Sequence, residues 1–437
     1  MRSFMGILRD RGTTLCVAWT FNQLAYAIVY PFIPIYLSNE RRIPYSTVGL
    51  IFPLMGAMVV FSPMLFGPLT DRIGRRPMMN FGQFARAALF MLLAYMTYVA
   101  APFWLFAVVL MLNTAVGVSF QIGADAYLAD ITAESERPGY YSRIRIGFNL
   151  GWALVPMIGA FFAKTPFWVL FLVTAALCGV GGVFTHLFCR YPEGFTPPAR
   201  GSVKGKNTGS VLPIIWKQKQ ILFMLLGAVM LFSLTSQLYS TLSVYSTKTV
   251  GISREALGLI YSMNGFLVIL LQLPTTRALE RLRIALKYRM YAGTLLYIAG
   301  YFSLGFCVNA WMIAGAVAVL TCGEMIMLPS LYTAFSGETV PENAGRILAA
   351  FSLFRGVGYA VGPWFGAQLF QYLSSPVMLG VGVVDGASAV LKLQHLKSPV
   401  MLWGALTTFA AVALVFFVLA WSKHFRCGGD DAGTKRI

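Results

Sequence analysis

Three charged residues lie inside stretches of the sequence that are otherwise apolar. Glu324 is part of CGEMIMLPSLY, Arg355 is part of SLFRGVGYAVG and Asp125 is part of QIGADAY. A charge at the centre of a bilayer costs about 2.5 to 3.5 kcal/mol on insertion scales, so one that is kept there indicates a function. A carboxyl group that alternates between a dry site and a nearby cation can take up and release a proton. Glu324, Asp125 and Arg355 are therefore candidates for proton coupling.

Both carboxylates also have a purely structural interpretation. Glu324 and Arg355 could form a permanent ion pair between neighbouring helices. Asp125 lies nearer the end of its apolar stretch, where it could simply bond Arg143 or Arg145.

Polar side chains recur every four residues in several apolar stretches, as at Asn22, Tyr26 and Tyr30. Residues at that spacing share one face of a helix. A single such side chain more often bonds a neighbouring helix than a ligand, but several stripes together favour a polar pathway between helices. The candidates for substrate binding are Asn22, Tyr26, Tyr30, Asn113, Gln121, Asn149, Trp152, Gln237, Tyr261 and Asn264.

The elements that position these residues are predicted to be membrane-spanning helices. Hydrophobic residues make up 57% of the chain and charged residues only 11%, more apolar than a soluble domain can bury. Apolar runs of roughly 20 residues, the length that crosses a bilayer, predict an all-α membrane protein with about twelve helices. They begin near Thr13, Tyr45, Pro77, Pro102, Ser142, Pro166, Gln220, Arg254, Tyr288, Ala310, Asn343 and Pro399.

The basic residues predict the orientation of these helices. Most of them fall in alternate connections, including clusters at 72–76 and 277–289. Such an excess marks cytoplasmic loops, so we expect both termini in the cytoplasm of a multi-pass plasma-membrane protein, in a bacterium the inner membrane. The net charge of +18 is spread over short loops and does not indicate nucleic-acid binding. The N-terminal apolar run is too long for a signal peptide and is expected to remain as the first helix.

Residue types needed for catalysis or metal binding are sparse. The six cysteines have no metal-ligand spacing, and the histidines, His186, His395 and His424, are far apart in the sequence. There is also no Walker-type phosphate loop. We therefore expect no enzyme, no cofactor, no metal and no ATP-driven pump.

The chain is predicted to consist of two related halves. Residues 190–217 are rich in Pro, Gly and Lys and are expected to form a cytoplasmic linker between residues 1–189 and 218–437. VGLIFPLMG at 48–56 resembles LGLIYSMNG at 257–265, and GWALVPMIGA at 151–160 resembles GYAVGPWFGA at 358–367. Two matches at nearly one offset indicate an internal repeat of six helices, as in transporters whose site lies between the halves.

One polar connection has an unusual composition. Residues 67–77 read GPLTDRIGRRP, in which glycines allow tight approach and a sharp turn. Asp71 can face the positive N-terminal end of a helix, and the arginines can stay among lipid headgroups. We interpret this loop as a conformational latch between the halves. The alternative, a solvated cytoplasmic turn, explains the arginines but neither Asp71 nor the glycines.

The same loop carries a resemblance to a known family. Its sequence is similar to the signature G-x-L-x-D-R-x-G-R-R between the second and third helices of the major facilitator superfamily, which the chain resembles over essentially its whole length. The matching residues are Gly67, Leu69, Asp71, Arg72, Gly74, Arg75 and Arg76. The resemblance implies two pseudo-symmetric six-helix bundles that rock about a central cavity.

A second motif resembles the twelve-helix drug/proton antiporters of that superfamily. Gly151, Pro156 and Gly159 are similar to their G-x-x-x-G-P-x-x-G, with Val155 in place of the second glycine. The second half holds a full copy at Gly358, Gly362, Pro363 and Gly366, and a motif present in both halves favours helix packing.

A third motif of those antiporters is absent. They usually carry an arginine four residues before a glycine in the fourth helix, whereas here Asn113 precedes Gly117. Arg86, in the third predicted helix, could substitute for it.

Together these features predict a monomeric secondary transporter that exports lipophilic or amphipathic compounds in exchange for protons. Few buried charges favour neutral or cationic substrates, and the expected partners are a small molecule, protons and membrane lipid. The alternative is a carrier or flippase of an endogenous lipid or metabolite, proton-coupled or not. The long outer segment 374–399 is expected to be an interfacial helix, a lid or a tolerated insertion.

Overall fold

The structure is a computed structural model, and it is nearly all helical. It describes residues 10–132, 140, 143–144, 151, 165–191, 215–216, 218–337, 344–374, 382–384, 387–389 and 399–422. The first half contains helices α1 (Arg11–Glu40), α2 (Tyr45–Ile73), α3 (Arg75–Tyr98), α4 (Phe103–Ile131) and α5 (Phe167–Phe188). The second half contains α6 (Lys219–Val250), α7 (Arg254–Arg281), α8 (Leu286–Ser303), α9 (Ala310–Gly337), α10 (Ala344–Ser374) and α11 (Pro399–Ala420).

The predicted fold class is confirmed. Within the described residues, eight helices are long and apolar enough to cross a membrane, namely α1, α2, α4, α5, α6, α7, α9 and α11. The twelve-helix prediction is compatible with this count, because most of the helix predicted to begin near Ser142 lies outside the described residues. The same holds for most of the predicted linker 190–217, so the domain boundaries stay predictions.

Local signals explain where the helices begin and end. Asp10 and Ser253 cap α1 and α7, since their side chains accept the N–H groups of Gly12 and Ala256 at 3.2 Å each. Gly74 separates α2 from α3 with a φ of 106°, a conformation that side chains disfavour. The predicted sharp turn therefore lies at Gly74.

The internal repeat extends to the irregular parts of the helices. In α1 a 3-10 turn at Tyr30–Phe32 is followed by a π-helical turn at Tyr36–Glu40. In α6 a 3-10 turn at Ser236–Tyr239 is followed by a π-helical turn at Ser246–Val250, so that the π-helical turns are 210 residues apart. Prolines interrupt the backbone hydrogen bonds of α1, whereas serine hydroxyls donate hydrogen bonds to backbone carbonyls in α6. Different residues thus produce the same irregularity in both halves.

The glycine motif of the second half is used for packing. A Cβ at Gly358 would lie 2.7 Å from the Val229 carbonyl oxygen, and one at Gly362 or Gly366 would meet α6 in the same way. These glycines, one turn apart beside Pro363, let α10 approach α6 closely. Gly151 is near α1, because its Cβ would lie 3.4 Å from Leu24 N. Its motif partners Pro156 and Gly159 lie outside the described residues.

Part of the segment 374–399 is extended rather than helical. Gly382–Val384 (β1) pairs antiparallel with Ala387–Ala389 (β2), with Gly382 opposite Ala389. The interfacial-helix interpretation is therefore wrong for these six residues, and the rest of the segment from 375 to 398 lies outside the described residues.

Candidate functional site

The two halves meet at one end of the helices, which we call the Glu40 end. Glu40 forms an ion pair with Arg254 at 3.3 Å, and Lys248 donates to the Ser38 hydroxyl at 2.6 Å. Between α2 and α10, the Tyr45 N–H donates to Gln371 Oε1 at 3.1 Å and Gln368 Nε2 donates to the Ser46 carbonyl at 2.8 Å. These closing contacts join the first half to the second.

The opposite end, where α2 meets α3, we call the Arg72 end. Here the buried residues of α2 form one narrow stripe, Ser62, Phe66 and Thr70. Met64 and Leu65 between them are 74% and 65% exposed, so most of the surface of α2 is uncovered. The contact of α2 with α10 is thus confined to the Glu40 end.

Tyrosines from both halves face each other midway between these ends. Tyr26 and Tyr30 of α1 stack with ring centroids 4.7 Å apart. Tyr359 of α10 interacts electrostatically with both phenols and is 41% exposed. We call these three residues the tyrosine cluster, and the space that they border the cleft. Tyr26 and Tyr30 were predicted as substrate ligands, whereas Tyr359 was missed.

Glu324 lies beside this cluster. Its carboxyl group interacts electrostatically with the hydroxyls of Tyr359, Tyr239, Tyr297 and Tyr301. A phenol can donate a hydrogen bond to an ionised carboxyl group and accept one from a protonated carboxyl group, so these surroundings suit both states. The position is compatible with a group that gains and loses a proton.

Arg355 lies near Tyr359 but has a different partner from the one the sequence suggested. Its guanidinium donates to the Tyr332 hydroxyl at 2.6 Å. The ion pairs within 4.0 Å among the described residues do not include one between Glu324 and Arg355. The permanent pair considered from the sequence is therefore not formed in this structure.

The predicted ligands of the second half are engaged in hydrogen bonds within that half. Gln237 Nε2 donates to the Gly362 carbonyl at 2.6 Å, tying α6 to α10. Asn264 Nδ2 donates to Thr321 Oγ1 at 2.7 Å, and the Tyr261 hydroxyl donates to the Leu238 carbonyl at 2.7 Å. All three are buried, so in this structure they hold helices together.

The predicted ligands of the first half differ, because several amide and guanidinium atoms around them have no hydrogen-bond partner among the described residues. Arg86 Nε, both amide atoms of Gln83, and the Nδ2 atoms of Asn22 and Asn113 are buried without one. The indole Nε1 of Trp19 is in the same situation. We call these five residues the donor cluster. The sequence predicted Asn22 and Asn113, raised Arg86 as a substitute, and missed Gln83 and Trp19.

Arg86 lies against α4, the helix in which the antiporters' arginine was expected. A Cβ built on Gly117 would lie 3.5 Å from Arg86 Nε, an ordinary van der Waals contact, so the guanidinium packs on this glycine. The same guanidinium lies 5.9 Å from the ring centroid of Tyr26 and 5.6 Å from that of Phe90. The donor cluster therefore adjoins the tyrosine cluster.

Other predicted ligands lie elsewhere or outside the described residues. Gln121 and Asp125 are exposed on α4, closer to the Arg72 end. Arg143, one suggested partner of Asp125, forms its ion pair with Asp10 at 3.1 Å. Although burial alone would raise the pKa of Asp10, hydrogen bonds from Thr13, Tyr140 and the Gly12 N–H hold it below its usual value. Asn149 and Trp152 lie outside the described residues.

The loop at the Arg72 end forms contacts within the first half. Arg75 Nε lies 3.0 Å from Asp130 Oδ2 of α4, and Asp130 also accepts the Tyr191 hydroxyl at 2.9 Å. Arg76 donates to the His186 carbonyl of α5. Asp130 and its partners were missed, because nothing in the sequence near 130 points to residue 75.

The remaining latch residues are more exposed. Asp71 is 4.0 Å from Arg75, and its side chain is 68% exposed. Leu69 is half-buried and Arg72 exposed, and no described atom lies within 4 Å of a Cβ built on Gly67. The tight approach expected at Gly67 is therefore not made in this structure.

The Asp130→Asn substitution is expected to destabilise the Arg72 end. The carboxylate of Asp130 is 7% exposed, and its loss leaves Arg75 without its charged partner. Breaking a buried ion pair in this way should cost about 3 kcal/mol, measured as a lower unfolding midpoint in detergent. Asp71→Asn is the matched control, because an exposed pair contributes only about 0 to 1 kcal/mol. Equal midpoints for the two variants would contradict this assignment.

Comparisons with known proteins agree on one family. A sequence model of the Major Facilitator Superfamily matches residues 15–363. The uncharacterised transporter YqjV of Bacillus subtilis is 24% identical over 401 residues, covering 88% of this chain and 95% of that protein. Multidrug resistance protein MdtG of Salmonella choleraesuis is 22% identical, covering 81% of this chain and 88% of that protein.

Solved structures share the fold at low sequence identity. A bacterial homologue of the human lysosomal transporter Spinster, in an inward-facing and unoccupied conformation, superposes with a TM-score of 0.74 at 13% identity, covering 95% of this chain and 97% of that one. The nucleoside transporter NupG superposes with a TM-score of 0.71 at 13% identity, covering 94% and 99%.

Proposed function

Because the chain belongs to the Major Facilitator Superfamily, we propose that it is a secondary active transporter that exports lipophilic or amphipathic molecules in exchange for protons by alternating access. The observation that carries the proposal is the position of Glu324 among tyrosines of the second half, one of which, Tyr359, also interacts with Tyr26 and Tyr30 of the first half. The similarity to MdtG supports a drug-like substrate. Aromatic rings suit such molecules because they bind apolar surface without demanding one shape.

The arrangement of the two ends supports alternating access. The closing contacts seal the Glu40 end, while α2 is largely uncovered toward the Arg72 end. If the basic loops face the cytoplasm, this is the inward-facing state, as in the Spinster homologue. In the outward-facing state the closing contacts would separate, and the loop of Asp71 would approach the second half.

The latch interpretation of that loop makes a separate prediction. Asp71→Asn is expected to lower the transport rate several-fold while the amount of protein in the membrane stays unchanged, because Asp71 acts only when the Arg72 end closes. Initial rates in vesicles, normalised to protein, measure this. Glu280→Gln is the matched control, since it alters an exposed carboxylate at the end of α7. Wild-type rates for Asp71→Asn would exclude the latch.

Substrate-driven proton movement tests the proposed exchange. Purified protein is reconstituted into liposomes that contain the pH indicator pyranine, and tetraphenylphosphonium or anilinonaphthalene sulfonate is added outside. Both probes are permanently charged, so their passive leak carries no protons. Alkalinisation of the interior beyond that of protein-free liposomes is expected for at least one probe. Probe uptake without any pH change would overturn proton exchange, and selectivity for a single metabolite would favour the carrier alternative.

A further inference from the structure

Several buried polar atoms of the donor cluster have no hydrogen-bond partner among the described residues. Arg86 is 3% exposed, Asn22 2%, Asn113 5% and Gln83 0%. A guanidinium and an indole can only donate hydrogen bonds, so the unbonded Nε of Arg86 and Nε1 of Trp19 both require an acceptor. A buried charge without a counter-charge is among the most costly arrangements in a membrane protein. The first half therefore has an excess of positive charge and donors.

The five residues lie on α1, α3 and α4 of the first half. Gln83 is one turn from Arg86 on α3, and Asn113 is one turn from Gly117, against which the guanidinium packs. On α1, Asn22 is one turn from Tyr26, whose ring lies beside the guanidinium. Trp19 packs edge-on against Phe120 of α4, with centroids 5.6 Å apart. Three helices thus direct donors to a region next to the cleft.

The buried amides of the second half are satisfied within the protein, although other donors of that half, such as Trp403 Nε1 and the Ser262 hydroxyl, have no hydrogen-bond partner in the described part of the chain. Gln237 and Asn264 are bonded to α10 and α9, and Arg355 is bonded to Tyr332. The contrast between the amide and guanidinium groups of the two halves favours a partner outside the protein for those of the first half.

We propose that the donor cluster binds the oxyanion of an amphipathic substrate, such as a carboxylate or sulfonate, while the tyrosine cluster holds its apolar part. This inference rests on the proposed function, because it names the class of molecule transported. An oxyanion accepts several hydrogen bonds at once and neutralises the guanidinium, which makes the pairing strong and directional. An anionic substrate replaces the neutral or cationic substrate expected from the sequence. That expectation was based on the small number of buried charges and did not include the position of Arg86.

The proposal fits the energetics of export. If the cytoplasm is the negative side, an anion that leaves and a proton that enters are both driven by the membrane potential. A cationic substrate exchanged for one proton would gain nothing from the potential.

Binding of three matched probes tests the proposal. Calorimetric titration of the purified full-length protein with 4-phenylbutyrate, 4-phenylbutanamide and 4-phenylbutylamine compares an anion, a neutral analogue and a cation on one apolar body. The wild type is expected to bind the carboxylate at least tenfold more tightly than the amide. In Arg86→Gln this preference should vanish, and in Arg86→Lys part of it should return. Arg277→Gln, which alters an arginine on α7 near its C-terminal end, should keep it.

A second variant covers the case in which Arg86→Gln does not fold. Asn113→Ala removes one donor and no charge, and it should weaken 4-phenylbutyrate several-fold while leaving 4-phenylbutylamine unchanged. Equal affinity of the wild type for the carboxylate and the amide would overturn the proposal. An Arg86→Gln variant with a lower unfolding midpoint that still prefers the carboxylate over the amide would also overturn it. The binding assay uses no pH gradient, so its result does not depend on whether the protein exchanges protons. If the protein exchanges protons but shows no preference for the carboxylate, only the oxyanion site is overturned.

Discussion

The Glu324→Gln variant is expected to lose at least nine-tenths of its substrate-driven proton exchange while it still folds. The substitution keeps the size of the side chain and its capacity for hydrogen bonding near the surrounding phenols but removes the proton that the carboxyl group would carry. Pyranine fluorescence in proteoliposomes measures the loss. Substrate binding in detergent should fall far less, because the tyrosine cluster is unchanged.

A matched carboxylate makes this result interpretable. Glu280→Gln alters an exposed acidic residue near the end of α7, outside the cleft, and should exchange protons like the wild type. If Glu324→Gln exchanges protons at the wild-type rate, Glu324 is not the coupling group. Asp125 would then be the next carboxylate to test.

The second large effect is expected from Gly56→Leu, which should reduce transport at least tenfold. Ala360 of α10 occupies the position that a Cβ on Gly56 would need, and a Cβ on Gly49 would lie 2.5 Å from Ala367 Cβ. Close approach of α2 and α10 is what allows Gln368 and Gln371 to form the closing contacts. A leucine at this point should hold the Glu40 end open and stop the cycle.

Thiol labelling distinguishes separation of α2 from α10 at the Glu40 end from misfolding of the Gly56→Leu variant. Ser46→Cys, placed among the closing contacts, should react faster with a membrane-impermeant thiol reagent when Gly56→Leu is also present. Gly315→Leu is the matched control, because no described atom lies within 4 Å of the added Cβ, and it should transport normally. Reduced transport without faster labelling of Ser46→Cys would show that Gly56→Leu acts in another way.

Much of the fold could be predicted because it depends on local composition. Bilayer-length apolar runs predicted helices beginning at Tyr45, Arg254, Ala310 and Pro399, and these are the residues at which α2, α7, α9 and α11 begin. Gly74 was predicted as a turn from its residue type alone. The repeat was recognisable because both halves kept similar residues where helices pack closely.

The candidate site was predicted less well, because a stripe of polar residues does not reveal its partners. Gln237 and Asn264 are amide side chains in polar stripes, as are Asn22 and Asn113, yet the first pair is bonded to neighbouring helices and the second pair has unsatisfied donors. Arg355 was considered as an ion-pair partner of Glu324 and instead bonds Tyr332, which lies about two turns from Glu324 on the same helix, α9. Tyr359 and Asp130 had no distinguishing local pattern.

The sequence alone determined that this chain forms apolar membrane helices in two related halves, and that a charged turn at Gly74 separates two helices of the first half. These features follow from residue types within one segment. Only the tertiary structure decided that Arg86 packs on Gly117, that Arg75 pairs with Asp130, and that the amides of Asn22 and Asn113 have unsatisfied donors. The physical reason is that a hydrogen bond or ion pair depends on a partner from a distant helix, and helix packing brings that partner within 3 to 4 Å or leaves it absent.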